Sequence, residues 1–281
     1  MKIGPYELTI INAGNFRLDG GAMHGVVPKT LWSRAVQADA DNRVEYATNC
    51  LLLEGGGRRI LVETGNGDKW SERDRGIYAI EEGSGIARRL RERGIEPETI
   101  DTVVLTHLHF DHIGGGTWRD DSGALRPTFP RARHWVQRAE LSDARSPHER
   151  NRASYLAENI DPLVQLGLFE EVHGEQEVAP GVRVVPTPGH TQGHQSVLVE
   201  ADGQAAFFCG DVIPTSLHVR LPYIMAYDLM PVVTLETKRR LVERMVSQRW
   251  IVLWGHDLRL RGGTVELDGS GGPVVRDVPD L

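Results

Sequence analysis

The 281-residue chain sets 32 Lys and Arg against 39 Asp and Glu, a net charge of −7, which argues against nucleic acid as a partner because phosphate-backbone binding needs concentrated positive charge. With 40% hydrophobic and 25% charged residues, 31 Gly and 15 Pro, the composition is that of a globular chain that buries a core, not a disordered or fibrous one. Cys50 and Cys209 are far apart and form no C-x-x-C pair, so they build neither a disulfide framework nor a thiolate zinc site and fit a reducing cytoplasm.

In chain order, residues 1–14 lack the basic start, apolar run and small-residue site of a signal peptide, and no later run of about 18 uncharged apolar residues predicts a membrane span. Strands are expected over 6–11, 46–54 and 58–63, the last two joined by the Glu54-Gly-Gly-Gly57 turn. The spacing of Ile86 and Leu90 predicts a helix over 84–93 that ends at Gly94, its arginines forming a solvated face. Strands over 102–106 and 133–137 precede helices over 138–144 and 152–166. Strands over 182–186, 195–200 and 205–209 follow, then a helix over 234–248 with Leu235, Leu241, Val242, Met245 and Val246 on one side, then a strand over 250–254 and an acidic, glycine-rich tail over 262–281. No repeat or Pro/Ser-rich linker divides the chain, so a single domain over 1–281 is expected. Strand-rich blocks in both halves, each followed by helix, permit a four-layer αββα sandwich or a two-layer α+β fold.

The chemistry concentrates after the strand at 102–106, where Thr106-His-Leu-His-Phe-Asp-His112 is followed by three glycines. In extended backbone, residues two apart share a side, so His107 and His109 can share one cation while the turn beyond lets Asp111 and His112 face a second. Burying three His and an Asp unpaired would be expensive, which favours metal ligation. His190, Asp211 and His256 each follow a β-like run and a glycine. The set makes five imidazoles and two carboxylates, enough for two divalent cations with Asp211 bridging; zinc is favoured, and manganese, iron or cobalt suit the same donors. His194 and Asp257 adjoin ligands as candidates to fix an imidazole tautomer, whereas His134, His148 and His173 stand alone and read as structural or surface residues.

This H-x-H-x-D-H pattern with a distant His, Asp and His resembles the metallo-β-lactamase-fold hydrolase superfamily, with all seven positions filled. The resemblance implies the αββα sandwich and a dinuclear site in which His107, His109 and His190 hold one metal, Asp111, His112 and His256 the other, and Asp211 both. Three segments, Leu18 to Trp32, Thr106 to His112 and Pro222 to Asp228, are similar to the quorum-quenching branch that opens N-acyl-homoserine lactones. That branch carries Phe where His24 stands, and its best-known subgroup carries Tyr three residues after the bridging Asp, where this chain has Pro214.

The expected activity is opening of a lactone or other carboxylic ester by a metal-bridging hydroxide, without a Ser or Cys nucleophile. Asp111 and Asp211 are expected to take part in the chemistry, and Tyr223 to protonate the leaving oxygen. Met23, His24, His218, Tyr223 and Tyr227 are expected to line the substrate site. The same centre could hydrolyse phosphotriesters, aryl esters or β-lactams, and a non-hydrolytic metal-binding or iron-oxygenase module would use some of the same ligands. The partner is then a small-molecule ester or lactone, with no nucleic acid or membrane, and a homodimer is left open.

Overall fold

The computed structural model describes residues 1–278; the last three positions of the expected domain and tail, 279–281, lie outside the described residues. Two seven-stranded sheets organise the chain. The first begins as an antiparallel meander, Lys2–Ile3, Tyr6–Asp19, Arg43–Gly55 and Arg58–Val62, and continues in parallel through Thr102–Val104, Arg133–Gln137 and Phe169–Val172. The second runs from Gln176–Ala179 to Pro273–Asp277 and is antiparallel except where Gln204–Phe208 lies parallel to Ile251–Leu253.

The layers follow from which side chains meet. Ile10, Leu51, Val62 and Val104 of the first sheet share one buried cluster with Val184, Val197, Phe208 and Leu253 of the second, which is the seam between sheets. The alternate residues point outward: Ile11, Leu52 and Val103 pack with Ile86, Leu90, Leu141 and Leu163 from helices on the first sheet's outer face. Leu198, Phe207 and Val252 pack with Leu241, Val242 and Met245 of Pro231–Gln248 on the other. Four layers, αββα, result, and the two-layer alternative is excluded. No helix among the described residues is long and apolar enough to cross a membrane.

Several elements differ from the sequence expectation. The first strand extends to Asp19, because Arg43–Gly55 pairs along nearly its whole length. The helix expected over 152–166 is broken into a 3-10 turn at Arg152–Ser154 and a helix at Ala157–Gln165. The tail is not structureless: Gly262–Leu267 and Pro273–Asp277 form the sheet's last hairpin.

Parallel pairing positions the site. Arg58–Val62 beside Thr102–Val104 brings Glu63 level with the start of the His107 loop, and Gln204–Phe208 beside Ile251–Leu253 brings Asp211 level with His256. Both pairs end at one edge of the sandwich, where loops beyond parallel strands gather side chains from distant parts of the chain.

Candidate metal centre and active site

His107 and His109 lie in the loop after Thr102–Val104, and His109 caps a single helical turn, Phe110–Ile113, that carries Asp111 and His112. Gly210 precedes Asp211 with φ +59, and a Cβ there would come within 2.7 Å of His194 Nε2, so glycine is required for the turn that presents the carboxylate. The ligand atoms of His107, His109 and His190 lie within 4.8 Å of one another, and so do those of Asp111, His112 and His256, and of His107, His112 and Asp211. Asp211 spans the set: Oδ1 lies 3.3 Å from His112 Nε2 and 3.1 Å from His256 Nε2, while Oδ2 lies 3.4 Å from His190 Nε2.

The outer nitrogens are held. His112 Nδ1 meets Glu63 Oε2 at 3.1 Å, His190 Nδ1 meets Asp228 Oδ1 at 2.9 Å, His256 Nδ1 meets the Ala47 carbonyl at 2.7 Å, and His107 Nδ1 meets Thr106 Oγ1 at 3.0 Å. Such contacts turn the second ring nitrogen inward. At the centre His107 Nε2 and Asp211 Oδ1 are buried without a hydrogen-bond partner, an expensive condition that a cation relieves, so the residues fit bound metal. Burial and the neighbouring imidazoles push His107 and His109 well below the usual histidine range. Burial would raise the Asp211 carboxyl, but His112, His256 and His190 hold it well below the carboxylate range, and its negative charge in turn raises those three imidazoles above theirs, so charge is shared around Asp211 while His107 and His109 stay neutral.

Sequence reasoning missed three carboxylates that build the site. Glu63 sits at φ +69, a conformation uncommon outside glycine, and is pinned there by accepting from Thr106 N through Oε1 and facing His112 through Oε2. Asp228 stands behind His190. Glu140, fully buried, accepts from Leu108 N, the Tyr155 hydroxyl and Thr191 Oγ1 at 3.0, 2.9 and 2.6 Å, which ties the His107 loop to the His190 loop. The discernible signals were a Glu ending the apolar run at 58–63 and an Asp closing the segment similar to the lactonase branch. His194 does not fix an imidazole: its Nε2 accepts from Asp211 N at 3.0 Å and so anchors the backbone of that ligand. Asp257 receives four donors from Ser216, Arg259 and Leu260 and fixes the loop after His256.

A cavity of about 270 Å³ opens on the centre, with His109, Asp111, His190, Asp211 and His256 in its wall. Met23 and Tyr227 line it, as do Leu18, Phe110 and Met225. Three residues expected on that wall are elsewhere. Tyr223 is buried behind it, its ring edge-on to His24 and its carbonyl bonded by the buried Lys238, whose amine burial lowers to about 7. His218 is enclosed between Thr215 Oγ1 and the Met23 carbonyl, and His24 faces a neighbouring cavity. The short turn at 216–219 and the Lys238 contacts pull this segment toward Pro231–Gln248 and away from the metals.

The fold, the ligand triads and their carboxylate supports define the class: the chain belongs to the metallo-beta-lactamase superfamily, whose model matches residues 43–256. It is a metal-dependent hydrolase. Among its relatives is an N-acyl homoserine lactonase from Bacillus sp, 31% identical over 76% of this chain and 82% of that protein. A probable metal-dependent hydrolase from Staphylococcus aureus superposes with TM-score 0.89 at 30% identity over 99% of both chains. An N-acyl homoserine lactone hydrolase solved with N-hexanoyl-L-homoserine at its catalytic metal centre superposes with TM-score 0.71 at 26% identity, over 92% of this chain and 95% of that one.

Proposed function

We propose that the chain is a single-domain dinuclear lactonase that opens N-acyl-homoserine lactones or closely related carboxylic esters, with zinc the favoured metal. The observation that carries this reading is the seven-residue centre opening onto a small cavity that Leu18, Met23, Phe110 and Met225 line with apolar surface beside the polar Arg150, Asn151 and Ser154, as suits an acyl chain joined to a polar head. The relatives named as lactonases point the same way.

His107, His109 and His190 would hold one ion, Asp111, His112 and His256 the other, and Asp211 both. Two ions so held would activate water near neutral pH and polarise the substrate carbonyl. The chain's own groups do the rest. Asp111 stands on the cavity wall and is placed to take the proton released as water attacks the carbonyl carbon and to deliver it to the leaving oxygen, the role expected of Tyr223. Burial raises the Tyr227 phenol, so it keeps its proton and can donate to the substrate carbonyl. Met23 and Met225 exclude water around the apolar part of the substrate.

The test is turnover by the purified chain of an acyl-homoserine lactone series, an aryl ester and a phosphotriester, with metal content measured on the same sample. Lactones should be preferred, at two metals per chain. Preference for the phosphotriester, or full activity with one metal, would overturn the proposal.

A further inference from the structure

The helix Pro231–Gln248 carries two adjacent polar residues on its buried side, Thr237 and Lys238. Thr237 Oγ1 donates to the Pro188 carbonyl at 2.9 Å, in the loop that presents His190. Lys238 has no exposed surface, and its amine donates to the carbonyls of Arg220 and Tyr223 at 3.0 and 2.5 Å. Those carbonyls begin and end one turn, closed by Tyr223 N donating to Arg220 O at 3.0 Å. Through neighbouring residues the helix thus grips the loop of His190 and the loop that runs on to Asp228, whose Oδ1 lies 2.9 Å from His190 Nδ1.

The segment 220–230 is pinned in three places. At its far end Leu229 N and Met230 N donate to the carbonyls of His190 and Gly189 at 3.0 and 2.9 Å. Midway, Ala226 N donates to the Ala22 carbonyl at 2.7 Å. At its near end the grip is the Lys238 amine. Between the ends lie Met225 and Tyr227 of the metal-cavity wall, and Asp228. An amine without water is costly to keep: burial pushes it down, and the Asp228 carboxylate pushes it up. Methionine would fill the same space without that cost, so what the amine adds is its hold on two carbonyls.

We propose that Lys238 is a positioning residue of this enzyme: its hold on the 220–223 turn places Asp228 behind His190 and Met225 in the wall of the metal cavity. The consequence for substrate rests on the lactonase reading above; the consequence for metal does not. Without the amine both carbonyls lose their donor, the near end of the segment shifts, and Asp228 carries the loss to His190. Glu63, which backs His112 from the other sheet edge, is not part of this linkage.

The experiment titrates zinc against a chromophoric chelator on wild type, Lys238→Met, Asp228→Ala and the double variant, and measures kcat and KM of the zinc-loaded chain on N-decanoyl-homoserine lactone. Lys238→Met should weaken the same binding step as Asp228→Ala, by roughly threefold to tenfold, the worth of one hydrogen bond. In the double variant that step should be no weaker than in Asp228→Ala alone, because the amine acts through the carboxylate. With both ions bound, KM should rise by a similar factor while kcat stays within about twofold, the signature of lost binding with the chemistry kept. Unchanged binding steps, equal weakening of both, additive losses, or a fall in kcat at constant KM would overturn the assignment and leave the lactonase reading standing. If Lys238→Met loses its cooperative melt, Lys238→Gln replaces it. The glutamine amide is uncharged and a bond too short to reach both carbonyls, so the same step should weaken, and an unshifted step would overturn the assignment. If no lactone is turned over, the lactonase reading falls and the zinc titrations decide the role of Lys238.

Discussion

Replacing the carboxylate behind His190 should weaken one of two metal ions and spare the other. Asp228 Oδ1 lies 2.9 Å from His190 Nδ1, while Glu63 Oε2 lies 3.1 Å from His112 Nδ1, so each triad has its own carboxylate behind one imidazole. Asp228→Asn keeps the size and an accepting oxygen but turns a charge-assisted hydrogen bond, worth about 1.5–3 kcal/mol, into a neutral one worth about 0.5–1.5 kcal/mol. The difference of about 1–1.5 kcal/mol is about tenfold in affinity. Asp228→Ala leaves the N–H unpaired and should approach the 100-fold end of about 10–100-fold losses seen on removing such supports. Competition against a chromophoric chelator resolves two binding steps: Asp228→Asn should shift one of them, and Glu63→Gln the other. Equal weakening of both steps by Asp228→Asn, or of neither, would refute the division into two triads.

Asp211→Ala should abolish turnover, because this carboxylate lies against His112, His190 and His256 at once; retained activity above about a tenth of wild type would count against the proposed bridge. A double Cys50→Ala, Cys209→Ala variant should keep its turnover per metal-loaded molecule, since both thiols are buried and pushed well above their usual range by burial; alkylation that stops turnover of intact, metal-loaded protein would require a different nucleophile. His134, on the strand Arg133–Gln137, is buried with neither ring nitrogen hydrogen-bonded, and burial lowers it to about 4. The unfolded chain takes up this proton below about pH 6.5 and the folded chain only near pH 4, so His134 subtracts stability as pH falls through that window, about 3 kcal/mol in all. His134→Leu should therefore be the more stable protein by a margin that widens from pH 7 to pH 4 in denaturant titrations at matched metal loading, and a constant margin would refute the assignment.

Three of the candidate ligands were legible in the sequence because they follow apolar runs: His107, Asp211 and His256 stand as polar residues just beyond a buried strand. The strands Arg133–Gln137 and Val182–Pro186 have the expected bounds because their periodicity is local. Edge strands such as Gln176–Ala179 and Pro273–Asp277 were missed because a half-exposed edge carries charge and little alternation. Glu140 was hidden for another reason. Within the charged helix Arg138–Arg145 it is indistinguishable from a solvated glutamate, and only the meeting of Leu108, Tyr155 and Thr191 around it gives it a burial site. Tyr223 illustrates the converse: its place in a familiar segment suggested a proton donor, whereas Lys238, distant in sequence, fixes its backbone away from the metals.

The centre draws His107, His109, Asp111 and His112 from the first sheet's loops and His190, Asp211 and His256 from the second's. Ions bound there act as a clamp across the sandwich, closing chain segments as long as that between residues 107 and 256. Binding free energy then becomes folding free energy. At a free metal concentration 1,000 times Kd each ion adds about 4 kcal/mol of resistance to unfolding. Thermal melts taken across a metal titration thus measure occupancy of this enzyme without any substrate, and separate a variant that has lost its ions from one that holds them but has lost its chemistry.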